Sequence, residues 1–478
     1  MYLGLDLGTS GLKGLLIDES QAVLGEASAD LVVSRPEDGW SEQDPASWIA
    51  AAEDVFDQLA AAFDLSAVKG IGLSGQMHGA TLLDASDQVL RPCILWNDTR
   101  SHLEAAEMDC ASDWRAISGN IVFPGFTAPK IHWVRANEPE LADQIAKILL
   151  PKDYLRLWLT GEHAAEMSDA AGTSWLDTGA RDWSDLLLSK SGLSRDAMPR
   201  LVEGSEASGQ LRSELAARWG LKNTVVVAGG GGDNAASAIG MGVVRVGQAF
   251  VSLGTSGVLF AANDGYQPDP DTAVHTFCHA LPNTWHQMGV ILAATDALNW
   301  LSTLVGRDPA ALTAALGPVQ APGRALFLPY LGGERTPLND AKIRGAFLGL
   351  EHGTDSAAAT RAVLEGVAFA LRDSRDALAA TGTVFDTVWA LGGGSRSDYW
   401  LGVLATVLGL PLQVPVAGDF GAAFGAARLG IMAHSGDTSV ATAPDVERTI
   451  DPIPSLQPAF DEAAERYRAA SGALKDLS

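Results

Sequence analysis

The chain has 478 residues, 47 % of them hydrophobic and 19 % charged. That is too long for one ordinary core, so about two to three packed domains are expected. The formal net charge of −25 argues against a general nucleic-acid or anionic-membrane partner, since a phosphate surface would be repelled, although backbone dipoles could still hold a small phosphate ligand.

Cys93, Cys110 and Cys278 are scattered and give neither a disulfide framework nor a CxxC zinc pattern. Asp6 and Lys13 interrupt the first apolar run, which is unlike a signal peptide. No uncharged apolar run approaches a membrane span. A reduced, soluble, cytoplasmic protein is expected.

In chain order, Tyr2 to Leu5 is a short apolar run that stops at a Gly-Thr-Ser turn, and Leu12 to Ile17 resumes it, which predicts a hairpin with a polar tip. A helix is expected over Ser47 to Ala62, entered after Asp44-Pro45. Strands ending in glycines are expected at Ile71–Gly75 and Thr224–Gly232. Phe250 to Leu253 and Val258 to Ala261 then repeat the opening hairpin around a second Leu-Gly-Thr-Ser-Gly, about half the chain after the first. A repeat at half-length points to domain duplication rather than a solenoid. Ser356 to Ala380 carries Val363, Val367 and Leu371 at four-residue spacing, with Gly382 as a stop, and predicts a helix. Val388 to Ser395 is a further strand and glycine turn. Alternating strands and helices indicate the α/β class. A boundary near residue 245 gives each half one turn, and no low-complexity linker separates them, so closely packed halves are expected.

Several stretches carry candidate chemistry. The turns Gly8-Thr9-Ser10 and Gly254-Thr255-Ser256 offer uncovered N–H groups and hydroxyls that could cradle phosphate from two sides of a cleft; a single copy could equally be an ordinary hairpin turn. Asp6 precedes the first turn and Ser252 the second. A carboxylate beside phosphate suits a bridging Mg²⁺, whereas the neutral copy could bind phosphate directly; alternatively Asp6 caps its own turn. Asp233 follows a glycine-rich strand end and could be a helix N-cap or a base for a hydroxyl proton. The glycines before it would let a substrate come close. Gln76, Met77 and His78 lie at another strand end and offer hydroxyl-binding groups and an apolar wall. His275, Cys278, His279 and His286 fit no zinc signature and lie in strand-like surroundings. Gly393, Gly394 and Ser395 are weak evidence for a nucleotide, gaining weight only from their place in the second half. Gly421 and Gly425 suit close helix packing.

Taken together, "GLDLGTSGLK", "SLGTSG", "GGGDNAA" and "LGGGSRSDYW" resemble the FGGY family of carbohydrate kinases, within the actin and hexokinase superfamily, from Tyr2 to about Arg428. "WSEQDP", "GQMHGATLLD", "ILWNDTR", "PGFTAPK", "LPKDYLR", "MSDAAGT" and "GERTP" are similar to the family's bacterial members that act on D-xylulose. The resemblance implies two ribonuclease H-like (actin-like ATPase) domains flanking a central cleft, a sugar domain over residues 1–244 and a nucleotide domain over 245–478. It implies phosphorylation of D-xylulose by ATP with Mg²⁺, Asp233 as the base, and Asp6 with Asp233 near the metal. Gln76, Met77 and His78 would contact the sugar, with Asp233. Gly8, Thr9, Ser10, Gly254, Thr255 and Ser256 would serve the phosphates and Gly393, Gly394 and Ser395 the adenosine. Four glycines precede Asp233 where three are expected. Glycerol-specific members differ at Gly75–Gly79, which disfavours glycerol. Another ketose or polyol, and a non-catalytic actin-like nucleotide-binding protein, stand as alternatives. The sequence does not fix oligomeric state, and a homodimer is open.

Overall fold

The computed structural model describes residues 1–416 and 420–475. Its frame is two seven-stranded sheets. The first contains β1 (Tyr2–Leu7), β2 (Gly11–Ile17), β3 (Val23–Asp30), β4 (Gly70–Gly75), β5 (Ala207–Gln210) and β6 (Val226–Ala228), in the order β5-β6-β4-β1-β2-β3, with Gly231–Gly232 adding a short pairing to β4. The second contains β7 (Gly247–Leu253), β8 (Gly257–Asn263), β9 (His275–Cys278), β10 (Trp285–Ile291), β11 (Phe385–Leu391), β12 (Leu412–Pro415) and β13 (Val446–Ile450), in the order β9-β10-β8-β7-β11-β12-β13.

The two orders repeat one plan. β1 pairs antiparallel with β2, closing at Leu7 opposite Leu12, and parallel with β4. β7 pairs antiparallel with β8, closing at Leu253 opposite Gly257, and parallel with β11. Both expected hairpins form, and each opens a sheet of the same connectivity. The Thr224–Gly232 stretch gives only the short β6 and the Gly231–Gly232 pairing.

The helices that position the site are α1 (Pro45–Ala62), α2 (Asp233–Met241), α3 (Thr295–Val305), α4 (Ser356–Ala380), α5 (Asp398–Leu408) and α6 (Ala422–Ser435). Asp44 caps α1 by accepting from Ala46 N, and Asp355 caps α4 by accepting from Ala358 N. α1 buries Trp48, Val55, Phe56 and Leu59 in the same core as Leu5 and Leu12. Val363, Val367 and Leu371 of α4 are buried in the second core with β7 and β11 residues such as Val251 and Ala390. Burying side chains of this size contributes about 1.5–3 kcal/mol each.

One helix crosses the division near residue 245. α6 lies on the first sheet, where Tyr2, Leu15 and Ile17 share a cluster with Ala423, Phe424, Ala427 and Ile431. The approach is backbone against backbone: a Cβ on Gly72 would stand 1.6 Å from Ala426 O, and one on Gly4 1.9 Å from Ala423 O. A Cβ on Gly425 would stand 1.7 Å from Ala236 O of α2. The close packing expected of Gly425 is therefore present, and it ties α6 to both α2 and the first sheet.

Candidate active site

Strand β1, which runs into Gly8, strand β4, which ends at Gly75, and the start of α2 bring the sequence candidates to one cavity of about 400 Å³. Asp6, Gly8, Thr9, Gln76, Met77, His78 and Asp233 line it from the first half and Ser256 from the second. Ser10, Gly254 and Thr255 do not line it. Trp96, Asn234, His275, Phe277 and Arg335 complete much of the wall; of these only His275 was singled out from the sequence, and there as part of the histidine-rich stretch rather than of this site.

Asp233 is the first residue of α2, and the cap position belongs to Gly232. Asn234 donates from its backbone N (2.7 Å) and from Nδ2 (2.9 Å) to Asp233 Oδ1, fixing the carboxylate. Burial, and then the negative charge of Asp6, push the Asp233 carboxyl up to about 6. The preceding glycines pack against protein: a Cβ on Gly229 would meet Glu203 O at 2.2 Å, and one on Gly230 (φ +81°) would meet Leu73 O at 2.3 Å. Only Gly232 faces a wall residue, Met77, at 2.9 Å from its would-be Cβ. The glycines thus seat the strand end more than they clear space for a substrate. Behind them Arg156 donates to Gly229 O, and Gly232 N donates to Ser168 Oγ at 3.1 Å. Arg156 and Lys152 are themselves held by the fully buried Asp153, at 2.7 and 2.8 Å.

His78 has φ +70°. Its backbone carbonyl accepts from Lys130 Nζ (2.7 Å) and Thr127 Oγ1 (3.1 Å), and its ring stacks on Phe126 at 4.5 Å, which holds this uncommon conformation. Burial pushes the imidazole down to about 3, so it is neutral. Its Nδ1 lies 2.7 Å from Gly172 O, and a carbonyl only accepts; Nδ1 therefore carries the proton and Nε2 is left as an acceptor. Gln76 is buried with its amide engaged: Nε2 donates to Gln43 Oε1 (3.1 Å) and Oε1 accepts from Thr9 Oγ1 (3.2 Å). Trp96 Nε1 donates to Thr9 Oγ1 at 2.9 Å. This relay ties the first turn to the strand that carries His78.

The second turn faces two ways. Ser256 lines the first cavity, while Thr295 N and Oγ1 donate to Gly254 O (2.9 and 2.8 Å) and Ala294 N donates to Thr255 O (2.8 Å). Those bonds fix the turn to the start of α3. Farther along, α3 presents Leu298 and Asn299 to a second cavity, of about 370 Å³, which is also lined by Thr295, Gly393, Gly394, Arg396 and Trp400. Ser395 is turned into its own loop, donating to Gly392 O at 2.7 Å. The second turn therefore stands between a cavity with two carboxylates and a cavity with none.

The histidine-rich stretch does not form a metal centre. His275, Cys278 and His286 lie on β9 and β10, all buried, and burial holds each imidazole below its ordinary value. Among the described residues no group of three or more His, Cys, Asp and Glu side chains could hold a metal ion by themselves.

Residues 1–240 match the N-terminal domain model of the FGGY family of carbohydrate kinases, and residues 249–434 match its C-terminal domain model. The chain belongs to the FGGY family of carbohydrate kinases. This kinase is 50 % identical over 443 residues to a xylulose kinase from Escherichia coli (strain K12), covering 92 % of this chain and 91 % of that protein. Among solved structures it is similar to a xyloylose kinase from Brucella ovis, with TM-score 0.99 and 63 % identity over 100 % of both chains. A xylulose kinase from Rhodospirillum rubrum gives TM-score 0.94 at 29 % identity, covering 100 % of this chain and 99 % of that one. The two-domain α/β frame is that of the actin-like ATPase fold. No described helix is long and apolar enough to cross a membrane.

Proposed function

We propose that this kinase transfers the γ-phosphoryl group of ATP to the 5-hydroxyl of D-xylulose, giving D-xylulose 5-phosphate and ADP. The observation that carries the chemistry is a half-buried carboxyl, Asp233, pushed up to about 6 in the cavity that also holds Met77 and His78. The sugar follows from relatives named xylulose kinase at up to 50 % identity across most of the chain.

Asn234 holds Oδ1 of Asp233, leaving Oδ2 to take the proton from O5 as that oxygen attacks phosphorus. His78 Nε2 accepts from a sugar hydroxyl, and Met77 supplies an apolar wall. Gly8, Thr9 and Ser10 on one side and Gly254, Thr255 and Ser256 on the other face the phosphates. Gly393 and Gly394 line the adenosine cavity, with Ser395 bracing their turn.

Asp6 and Asp233 share one cavity, and their repulsion is part of what raises Asp233, so a divalent cation fits beside them. The lack of an all-protein ligand cluster among the described residues suits Mg²⁺, which keeps waters and phosphate oxygens as ligands. Asp6, with Asp233, would hold that ion, whose contribution is to neutralise charge on the transferring group. Cys93 and Cys278 are buried, unpaired thiols, in keeping with a reduced, cytoplasmic setting.

The test is ADP release from Mg-ATP with D-xylulose, ribulose, arabinitol, xylitol and glycerol. D-Xylulose should give by far the highest kcat/KM. A higher value for another sugar would overturn the substrate, and no sugar-stimulated release would overturn the kinase activity itself.

A further inference from the structure

Arg335 stands apart from the groups used above. It comes from the second half of the chain yet lines the cavity that holds Met77 and His78. Its neighbours in "GERTP" explain how. Glu334 Oε1 accepts from Leu292 N (3.0 Å), just past the end of β10, and from Arg335 N (2.8 Å). Thr336 N donates to Val290 O (3.0 Å), while its Oγ1 accepts from Val290 N (3.1 Å) and donates to Ala273 O (2.9 Å). Glu334 and Thr336 thus staple the segment to the second sheet on either side of Arg335, whose side chain is left to cross the cleft. Its guanidinium lies 4.4 Å from the ring centroid of Phe123, a first-half residue, and no hydrogen bond or ion pair among the described residues holds it.

The surroundings define one end of the cavity. Phe123 packs against Phe126 (5.5 Å) and His275 (5.3 Å), and Phe126 stacks on His78. His275 is buried, lines the cavity, and has no hydrogen-bond partner for Nδ1. The Arg335 cation contributes to holding both His275 and His78 neutral, whereas Asp233 feels Asp6. The contacts group the guanidinium with Phe123, Phe126, His275 and His78, and the proton-accepting carboxylate with Asn234 and Asp6, as two ends of one cavity. The far end offers several unspent donors from Arg335, and a lone guanidinium left without an acceptor in a half-buried cleft is costly.

A bound 2-ketose supplies the missing acceptor. A ketopentose closes its five-membered ring through O5, so a molecule whose O5 is free to attack phosphorus must be open-chain and must carry a free C2 carbonyl. We propose that Arg335 is a specificity-determining residue whose guanidinium donates hydrogen bonds to the carbonyl end of the open-chain 2-ketose, remote from the hydroxyl that Asp233 deprotonates. Arg335 then selects the ring-opened form that can react, and it draws the second domain onto the sugar. This rests on a 2-ketose being the acceptor.

The test uses the full-length kinase and Arg335→Met, which keeps an apolar stem over Phe123, with Arg335→Lys beside it. Steady-state kinetics on D-xylulose are paired with calorimetric Kd values for D-xylulose and xylitol, which differ only by reduction of the carbonyl. A hydrogen bond to a charged group contributes about 1.5–3 kcal/mol, so Arg335→Met should lose about 10- to 100-fold in kcat/KM on D-xylulose, mostly through KM. Xylitol affinity should move less than about threefold, collapsing the preference for the ketose, and Arg335→Lys should recover part of the loss. Equal loss for both sugars, or a fall in kcat at unchanged KM, would show that Arg335 serves only structure or phosphoryl transfer and would overturn the assignment. An unfolded Arg335→Met leaves Arg335→Lys to decide by the same KM-against-kcat split. If the parent enzyme ignores D-xylulose, it is the proposed function that fails; if the parent prefers D-xylulose and the variants keep that preference, only the role of Arg335 fails.

Discussion

Asp6 and Ser252 hold the same place in two copies of one sheet. Each stands one residue before the end of its strand, paired with the parallel neighbour: Asp6 with Ser74, Ser252 with Leu391. Each is followed by the same five residues. The first copy adds a carboxylate to the cavity that contains Asp233, whereas the second is neutral, and its turn is tied to α3 beside the acid-free cavity. The two copies offer equivalent turns, and a single side chain gives one of them a carboxylate that the other lacks.

The comparison breaks first at Asp233, the proposed base on the acidic side. Asp233→Ala should lower kcat by about 10³–10⁴-fold, at or near the upper range for a general base, while Ser252→Ala should change it by less than about threefold. Comparable losses from both would mean that the carboxylate side has no special place in the chemistry. Next in size is a contrast of glycines. Gly72→Ala drives a Cβ to 1.6 Å from Ala426 O, backbone that cannot step aside, and should cost about 3 kcal/mol or more, lowering Tm by several degrees or preventing folding. Gly393→Ala meets nothing within 4 Å. That variant should keep its Tm and act only on the KM for ATP, because the residue lines the second cavity. A normal Tm in Gly72→Ala would refute the backbone contact between α6 and the first sheet.

A third variant sharpens the division. Ser252→Asp gives the neutral turn the carboxylate of its twin. A like charge near the phosphates at an effective dielectric of about 20 costs on the order of 1–2 kcal/mol, so KM for ATP should rise about tenfold with KM for the sugar little changed. An unchanged KM for ATP would place Ser252 away from the phosphates.

The repeated hairpins were legible because period and turn chemistry are local: the run, the Gly-Thr-Ser tip and the resumed run sit within sixteen residues of Tyr2, and again from Phe250. Asp233, Met77 and His78 were legible because glycines flank them at strand ends. The crossing of α6 onto the first sheet was not, since Gly425 advertises close packing but not its partner, and Gly4 and Gly72 read as ordinary strand glycines. Arg335 was hidden for a similar reason. Its reach depends on staples from Glu334 and Thr336 to Leu292 and Val290, some forty residues earlier, and no local pattern encodes those bonds. Ser395 looked like a nucleotide ligand in a glycine turn, yet its hydroxyl is spent on Gly392 O. A motif places residues near a site without saying which way each hydroxyl turns.

The smallest effect expected is a shift in pH dependence, and it tests the electrostatic half of the comparison directly. Asp233 must be ionised to accept a proton, and its carboxyl is pushed up to about 6. kcat/KM should therefore rise with pH up to about 6 and level off above it, provided that proton removal limits the rate. Burial is the larger cause of the shift and the charge of Asp6 the next. Asp6→Asn removes the charge and leaves the burial, so the acid limb, read on whatever activity remains, should move to lower pH while staying above the range of an ordinary carboxylate. Ser252→Asn removes no charge and should leave the limb in place. An acid limb that stays fixed in Asp6→Asn would mean that the two carboxylates do not share a field, and that the first turn differs from the second in sequence without differing in electrostatic role.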